Sequence, residues 1–420
     1  MNKSTQNRGR SGLVAALDVG TTKVCCFIAR PEAKRGLTVV GIGHQVSRGL
    51  RSGGIVDMEA AETSIRATVE AAEQMAGENI RSVIVNLSAG SPQSRLVSYR
   101  ISIAGHEIGD ADMRKILNPG PLLDGQPENH EIIHTIPVGY SIDGNKGVRD
   151  PRGLYGENLG VNLHVVSAAT GALRNLDTCV ARCHLDVEDR VVSSYASSLA
   201  CLVDDEKALG VTCIDMGGGT TSIAVFFDGE PVHTDVVPVG GGHVTNDIAM
   251  GLSTPLSHAE RMKTLYGSAI PSSSDDREII KVPLIGEEDA TLAHQVPRSM
   301  LVGVIRPRLE ETFEMVRARL EAAGFDKTAG RRVVLTGGAS QLPGVRELAG
   351  QILDKQVRLG RPKPFEGMAE AVVGPAFATC AGLLTYAVNN PRAGAQGSGH
   401  PLKVQNGRFG RIGQWLRENF

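Results

Sequence analysis

The 420-residue sequence is poor in aromatic side chains, with one tryptophan, six tyrosines and nine phenylalanines. It has no surplus of basic charge either: 44 Lys and Arg stand against 46 Asp and Glu, a formal net charge of -2. A general nucleic-acid binder needs such a surplus to displace counterions from phosphates, so that class is excluded and any basic patch must be local. No apolar run reaches the roughly 18 residues that a membrane-spanning helix requires. The opening MNKSTQNRGRSG lacks an apolar stretch long enough for a secretory signal, which predicts a cytoplasmic chain.

Seven cysteines (Cys25, Cys26, Cys179, Cys183, Cys201, Cys213, Cys380) are odd in number and sit mostly in apolar runs. That predicts free thiols in a reducing compartment rather than a disulfide framework. Cys179, Cys183 and His184 have spacing that suggests a metal cluster, but LRNLDTCVARCHL is an amphipathic helical pattern. Its two cysteines fall one turn apart and read as small core hydrophobes.

What is present is ordinary for a globular chain, 41% hydrophobic and 21% charged. The length exceeds what one core usually sustains, so two or more domains are expected. Two stretches echo each other: VAALDVGTTKVCCFI at 14–28 and VTCIDMGGGTTSIAV at 211–225. Each reads as a strand, a tight turn rich in Gly and Thr, and a second strand. Asp18 and Asp215 occupy the same register, close to half a chain apart, which predicts two related domains.

The first domain runs over 12–88 and 167–200. It contains the hairpin, the helix-like MEAAETSIRATVEAAEQMAG and the buried run SVIVNL. Residues 89–166 interrupt it with the strand-like RLVSYRISIA, HEIIHTIPVGYSID and NLGVNLHVVSAAT and one short helix, DADMRKIL: an inserted α+β subdomain. The second domain covers 201–242 and 331–390 around a mostly helical section at 243–330. Its strand RRVVLTGG ends in Gly337 and Gly338, where backbone amides can approach a ligand, and a helix is expected to follow. Residues 391–407 read as a Gly- and Pro-rich linker.

A hairpin tip of Gly and Thr directs amides and hydroxyls into one space, which suits phosphate oxygens. A carboxylate there is misplaced unless a cation intervenes. Mg²⁺ fits, because it keeps its waters and is held by one or two carboxylates and the phosphates of a nucleotide. Asp18 and Asp215, acting through water, are the expected metal-side residues of a two-jawed Mg²⁺-nucleotide clamp.

LDVGTTKV, CIDMGGGTTSIAV and VVLTGGASQLPGV resemble the phosphate-1, phosphate-2 and adenosine motifs of the actin, heat-shock-chaperone and sugar-kinase superfamily. VGIGHQVSRGLRSGGIVDMEA, NLGVNLHVVSA, VPVGGGHVTNDIAMGLSTPLSHAERMKTLYG and the terminal IGQWLRENF are similar to FtsA, the family of actin-like bacterial cell-division proteins. The resemblance implies an α/β fold of duplicated actin-like, ribonuclease-H-like domains that binds ATP with Mg²⁺. It also carries the phosphate-1 role to Asp18, Gly20, Thr21, Thr22 and Lys23, and the phosphate-2 role to Asp215, Gly217, Gly218, Gly219, Thr220 and Thr221. Further nucleotide contacts are implied at Gly240, Gly241 and Gly242, at Glu260 and Lys263 near the ribose and base, and at Gly337 and Gly338.

As implied partners the family supplies the tail of the division-ring protein FtsZ, docking on 243–330, further copies of the chain in a filament, and later division proteins at the inserted subdomain. Arg298, Arg306 and Arg308 flank a helix in 243–330 and are expected to receive an acidic tail, although ordinary surface ion pairs are an equal reading. The family's position for a water-orienting Gln or Glu falls here on Ser193 or Ser194. A hydroxyl is a poor general base, so at most slow ATP hydrolysis is expected.

At the C-terminus, Phe409, Ile412, Trp415, Leu416 and Phe420 recur at helical spacing beside Arg408, Arg411 and Arg417. That pattern predicts an amphipathic helix, residues 408–420, either packed on the domain or, as the preceding linker favours, lying on an anionic membrane surface. The expected location is the cytoplasmic face of the inner membrane at the septum. Rival readings are an actin-like adaptor of a pilus assembly system or a small-molecule kinase on the same clamp. A heat-shock chaperone would need a peptide-binding domain for which the remaining residues leave no room.

Overall fold

The computed structural model describes residues 12–32, 36–118, 120, 127–286, 294–326 and 329–390. The first hairpin is β1 (Val14–Val19) and β2 (Lys23–Glu32), with Asp18 opposite Cys25. Side chains of β2 alternate between two cores: Cys25, Phe27 and Ala29 enter one, while Val24, Cys26 and Ile28 enter the other. Burial on both faces explains why the strand reads as a continuous apolar run. β3 (Gly36–Val46) pairs with β2 at the edge, and a two-rung hairpin, β4 (Leu50–Arg51) and β5 (Gly54–Ile55), leads into α1 (Met58–Ala76). Asp57 caps that helix by accepting from the Glu59 and Ala60 amides, and Gly77 ends it in the left-handed conformation at φ 71°. β6 (Ser82–Leu87) lies parallel to β1.

The inserted subdomain comprises β7 (Gln93–Ser102), α2 (Asp110–Ile116), β8 (His130–Ile142), β9 (Asn145–Val148) and β10 (Asn158–Ala169), in the sheet order β7-β10-β8-β9. Its own small core joins Met113 and Ile116 of α2 to Leu159, Val161, Leu163 and Val165 of β10. The chain then returns through α3 (Thr170–Arg182) and β11 (Asp186–Val192) to complete the first sheet, β11-β6-β1-β2-β3. Cys179 is buried on α3, Cys183 follows its last turn, and all seven cysteines are free thiols. No metal-holding group of His, Cys, Asp and Glu occurs among the described residues.

After α4 (Ser193–Cys201) and α5 (Asp204–Leu209) the pattern repeats. β12 (Val211–Met216), β13 (Thr221–Phe227) and β14 (Glu230–Val237) are antiparallel neighbours, with Asp215 opposite Ser222. Next come α6 (Gly241–Gly251), α7 (Leu256–Tyr266), a small hairpin of β15 (Ile279–Val282) and β16 (His294–Pro297), and α8 (Arg298–Ala322). β17 (Arg332–Thr336), α9 (Val345–Leu353), β18 (Gln356–Leu359) and α10 (Ala378–Asn389) follow. The sheet order β14-β13-β12-β17-β18 repeats β3-β2-β1-β6-β11, with the same parallel and antiparallel neighbours. The echo in the sequence is thus a structural duplication.

α4 and α10 lie between the two sheets, in a core that takes residues from β1, β2, β12 and β13. A Cβ on Gly382 would overlap the Ala196 carbonyl, so glycine is what lets these helices cross closely. The helix expected after Gly338 follows, but not at once: Gly338–Gln341 is a single 3-10 turn, and helix α9 starts after Gly344. Pro343 cannot donate to a continuing helix, and Gly344 sits at φ 80°, which breaks the run.

Candidate nucleotide site

The hairpin turns form by the same bond in both halves. Gly20 N–H donates to the Lys23 carbonyl at 3.0 Å, and Gly217 N–H to the Thr220 carbonyl at 2.9 Å. Each turn thereby closes tightly and places its aspartate at the end of a central strand. The two turns also meet: a Cβ on Gly218 would strike the Thr22 side chain, and one on Gly219 would strike Thr21 Oγ1. Only glycine allows this approach.

Between them opens a cleft of about 960 Å³. Its walls carry Asp18, Gly20, Thr21, Thr22 and Lys23 from the first turn, and Asp215, Gly217, Gly218, Gly219 and Thr220 from the second. Gly241, Gly242, Glu260, Lys263, Gly337 and Gly338 complete the expected set on the far wall. Two expected residues stand behind that wall. Thr221 is buried in β13 with its hydroxyl donating to the Val239 carbonyl at 2.8 Å, and Gly240 lies against the Gly217 carbonyl. The Gly241 and Gly242 amides are spent on the Gly217 and Gly218 carbonyls, at 2.9 and 2.7 Å, so these glycines lock the second turn to α6.

Asp18 and Asp215 are 8% and 7% exposed. Burial raises the Asp18 carboxyl to about 7, against the pull of Lys23, with a further rise from Asp215. Burial also raises Asp215, opposed by hydrogen bonds from Thr379 and Ser197 and by Lys23. Thr379 Oγ1 reaches Asp215 Oδ2 at 2.9 Å. Two desolvated carboxylates with one lysine nearby form a site short of positive charge. An all-oxygen donor set beside backbone amides suits a hydrated Mg²⁺ joined to phosphates, so these residues fit that ion.

At the other end Lys263 Nζ donates to Glu260 Oε2 at 2.6 Å, Thr245 Oγ1 at 2.8 Å and the Gly241 carbonyl at 3.1 Å. Glu260 and Lys263 therefore belong to a network in the cleft wall. Ser193 also lines the cleft. Its hydroxyl accepts from Asn86 Nδ2 at 3.1 Å, while Asn86 Oδ1 accepts the Val19 N–H at 2.6 Å. Asn86 and Thr379 escaped the reading of the sequence because their partners lie far along the chain; Thr245 escaped it because a lone threonine near the start of a helix carries no signal that it bonds Glu260 and Lys263.

Arg298, Arg306 and Arg308 do not form a vacant basic patch. All three lie within α8, and each is engaged by carboxylates of this chain: Arg298 by Asp275, Arg306 by Glu310 at 2.7 Å, and Arg308 by Asp247 at 2.5 Å and by Glu311. The surface-ion-pair reading describes them as they stand. The expected membrane helix, with Arg408, Phe409, Arg411, Ile412, Trp415, Leu416, Arg417 and Phe420, and the linker before it, lie outside the described residues. No described helix is long and apolar enough to cross a membrane.

Comparison with known proteins agrees with this architecture. A family model described as cell division protein FtsA matches residues 212–382, and one described as the SHS2 domain inserted in FTSA matches 89–167. The cell division protein FtsA of Rhizobium meliloti (strain 1021) is 47% identical over 423 residues, covering 98% of this chain and 96% of that protein. Among solved structures, the PilM-PilN type IV pilus biogenesis complex matches with a TM-score of 0.63 at 17% identity, covering 89% of this chain and 98% of that one. MreB5 of Spiroplasma citri bound to ADP matches at 0.52 and 14%, covering 90% and 96%. The fold is actin-like with an inserted SHS2 subdomain, and the chain belongs to the FtsA family of cell division proteins.

Proposed function

We propose that the protein binds Mg²⁺-ATP between its two cores, polymerises, and tethers FtsZ to the cytoplasmic face of the inner membrane at the division septum, where it recruits later division proteins. The observation that carries this reading is the pair of matching turns, around Asp18 and Asp215, facing one another across a single cleft. The turns cradle phosphate oxygens, the aspartates hold the cation through water, and Gly337 and Gly338 receive the nucleoside. Bound Mg²⁺-ATP favours the closed arrangement because it contacts both jaws at once. Hydrolysis is slow at most, because Ser193 and Asn86 are engaged with each other and Ser194 is buried beside them.

The FtsZ tail docks on 243–330. If Arg306 and Arg308 take part, they exchange their present carboxylate partners for those of the tail. The inserted subdomain contacts later division proteins and neighbouring copies. Phe409, Ile412, Trp415, Leu416 and Phe420 enter the lipid, with a gross gain of roughly 8–15 kcal/mol at ~1.5–3 kcal/mol each before ordering costs. A filament presenting many such helices binds more firmly than one copy through avidity.

Co-sedimentation with anionic liposomes, with and without Mg²⁺-ATP and FtsZ, tests the reading. Intact protein should carry FtsZ into the pellet, and Trp415→Glu should leave both in the supernatant. Failure of the intact protein to pellet, or indifference to FtsZ, would overturn the tether.

A further inference from the structure

The inserted subdomain is covalently part of the first core, yet the back of its sheet rests on β14 of the second. Leu96 and Val138 pack into the second core's hydrophobic cluster. Ser94 Oγ accepts the Thr234 N–H at 3.0 Å and bonds His233 Nδ1 at 3.1 Å. His233 itself is stacked on Phe325, with ring centres 5.1 Å apart.

In the middle of this seam lies His164. It sits on β10 opposite Leu96 on one side and Ile136 on the other, and it is fully buried. Among the described residues neither of its ring nitrogens has a hydrogen-bond partner, nor has His233 Nε2 or Thr234 Oγ1. A buried imidazole with two unmatched nitrogens contributes little to packing that leucine would not supply better.

We infer that this seam is a proton-sensitive latch: it holds the inserted subdomain against the second core while His164 and His233 are neutral, and releases it when they take up protons. Protonation inside the closed seam would bury a charge, so the seam must open for the rings to charge. Burial and the neighbouring His233 and His134 push His164 down to about 3, and burial also lowers His233, partly offset by Asp235.

The sign follows. A histidine whose value is depressed when packed stabilises the closed form above its free value of about 6.5 and loses that contribution as the pH falls toward its packed value. Other charged or titratable groups around the seam are Arg95 on β7, His130, Glu131 and His134 on β8, and Asp235 on β14. Asp189 and Arg190 on β11, Tyr140 on β8, Tyr195 on α4, Arg319 on α8 and Tyr386 on α10 also stand around it. Glu230 on β14 is raised by burial to about 7, so its protonation favours the closed seam as the pH falls and opposes the histidines. Arg319 approaches Asp235 at 3.7 Å, His134 accepts the Val192 N–H at 3.1 Å, and Tyr386 donates to Asp189 at 2.7 Å. Release frees the apolar Leu96 and Val138 face while leaving both actin-like cores intact.

Hydrogen exchange of the full chain at pH 7.5 and 5.5, corrected for intrinsic exchange, tests this directly. A histidine with a free value of about 6.5 makes opening about tenfold more favourable over that interval. Exchange of β7 and β14 should therefore accelerate tenfold or more, while β1, β12 and β17 stay protected. His164→Leu should remove its tenfold share, and the double variant His164→Leu with His233→Leu should no longer exchange faster at pH 5.5 than at pH 7.5. His164→Phe serves the same end if leucine disturbs folding, and Ser94→Ala should loosen the seam at both pH values. Unchanged exchange in the unsubstituted protein, full acceleration retained in the histidine variants, or opening of all strands together would each overturn the latch.

Discussion

Lys23 Nζ stands 3.5 Å from the centre of the Phe377 ring and donates to the Ala376 carbonyl. The lysine of the first hairpin is thereby anchored to the segment that leads into α10, across the mouth of the cleft. It also lowers both buried aspartates, opposing the effect of their burial. If the cleft takes a nucleotide as proposed, Lys23 is placed to meet its phosphate.

Lys23→Met should weaken ATP binding by about 10- to 100-fold, the equivalent of one charge-assisted hydrogen bond of ~1.5–3 kcal/mol. Equilibrium titration with a fluorescent ATP analogue checks it. Affinity within twofold of the unsubstituted protein would remove Lys23 from the site.

Asp18 supplies a pH prediction. Its carboxyl is raised by burial from 3.8 to about 7 in the fold, so folding favours its protonated form. This contribution to stability is fully present below about pH 4 and is lost as the pH rises through 7. In the absence of nucleotide and Mg²⁺, Asp18→Asn should therefore raise Tm by a few degrees at pH 8 and change it little at pH 4. Thermal unfolding at the two pH values measures this, and an equal shift at both would show that ionisation of Asp18 is not the cause.

Two glycines should respond oppositely to the same change. Gly382→Ala places a methyl group onto the Ala196 carbonyl and should cost about 1–3 kcal/mol or more through overpacking. Gly303→Ala, on the exposed face of α8 with nothing among the described residues within 4 Å of the added Cβ, should stabilise by about 0.5–1 kcal/mol. Chemical denaturation resolves both signs.

The arginines of α8 differ in the same way. Arg298 pairs with Asp275, a carboxylate only 2% exposed. Arg298→Ala leaves that charge buried and should destabilise by about 3–5 kcal/mol. Arg306→Ala breaks a half-exposed pair and should cost less than about 1 kcal/mol. Loss of FtsZ-tail binding in the Arg298 variant alone would therefore report unfolding, whereas loss on charge reversal at Arg306 and Arg308 would report contact.

The duplicated hairpins were legible in the sequence because their chemistry is local. An aspartate, a glycine turn and two apolar strands lie within fifteen residues, and both faces of the strands are buried. The inserted sheet was legible for a related reason, since its strands are long and its helix short. Thr379 was not, because its bond to Asp215 spans 164 positions and depends on where α10 returns between the sheets. Asn86 was hidden likewise, its partners being Val19 and Ser193. The buried His164 gave no signal at all, because an alternating strand pattern does not reveal which outward face is later covered by another domain.

The central claim is a clamp in which two aspartates share one hydrated cation with a nucleotide. Calorimetric titration of ATP into the purified protein, with Mg²⁺ and with EDTA, tests it most directly, alongside Asp215→Asn. The account predicts one site per chain, about tenfold or more tighter with Mg²⁺, with the Mg²⁺ dependence lost in the variant. Equal affinity with and without the metal, or no binding to the unsubstituted protein, would contradict it.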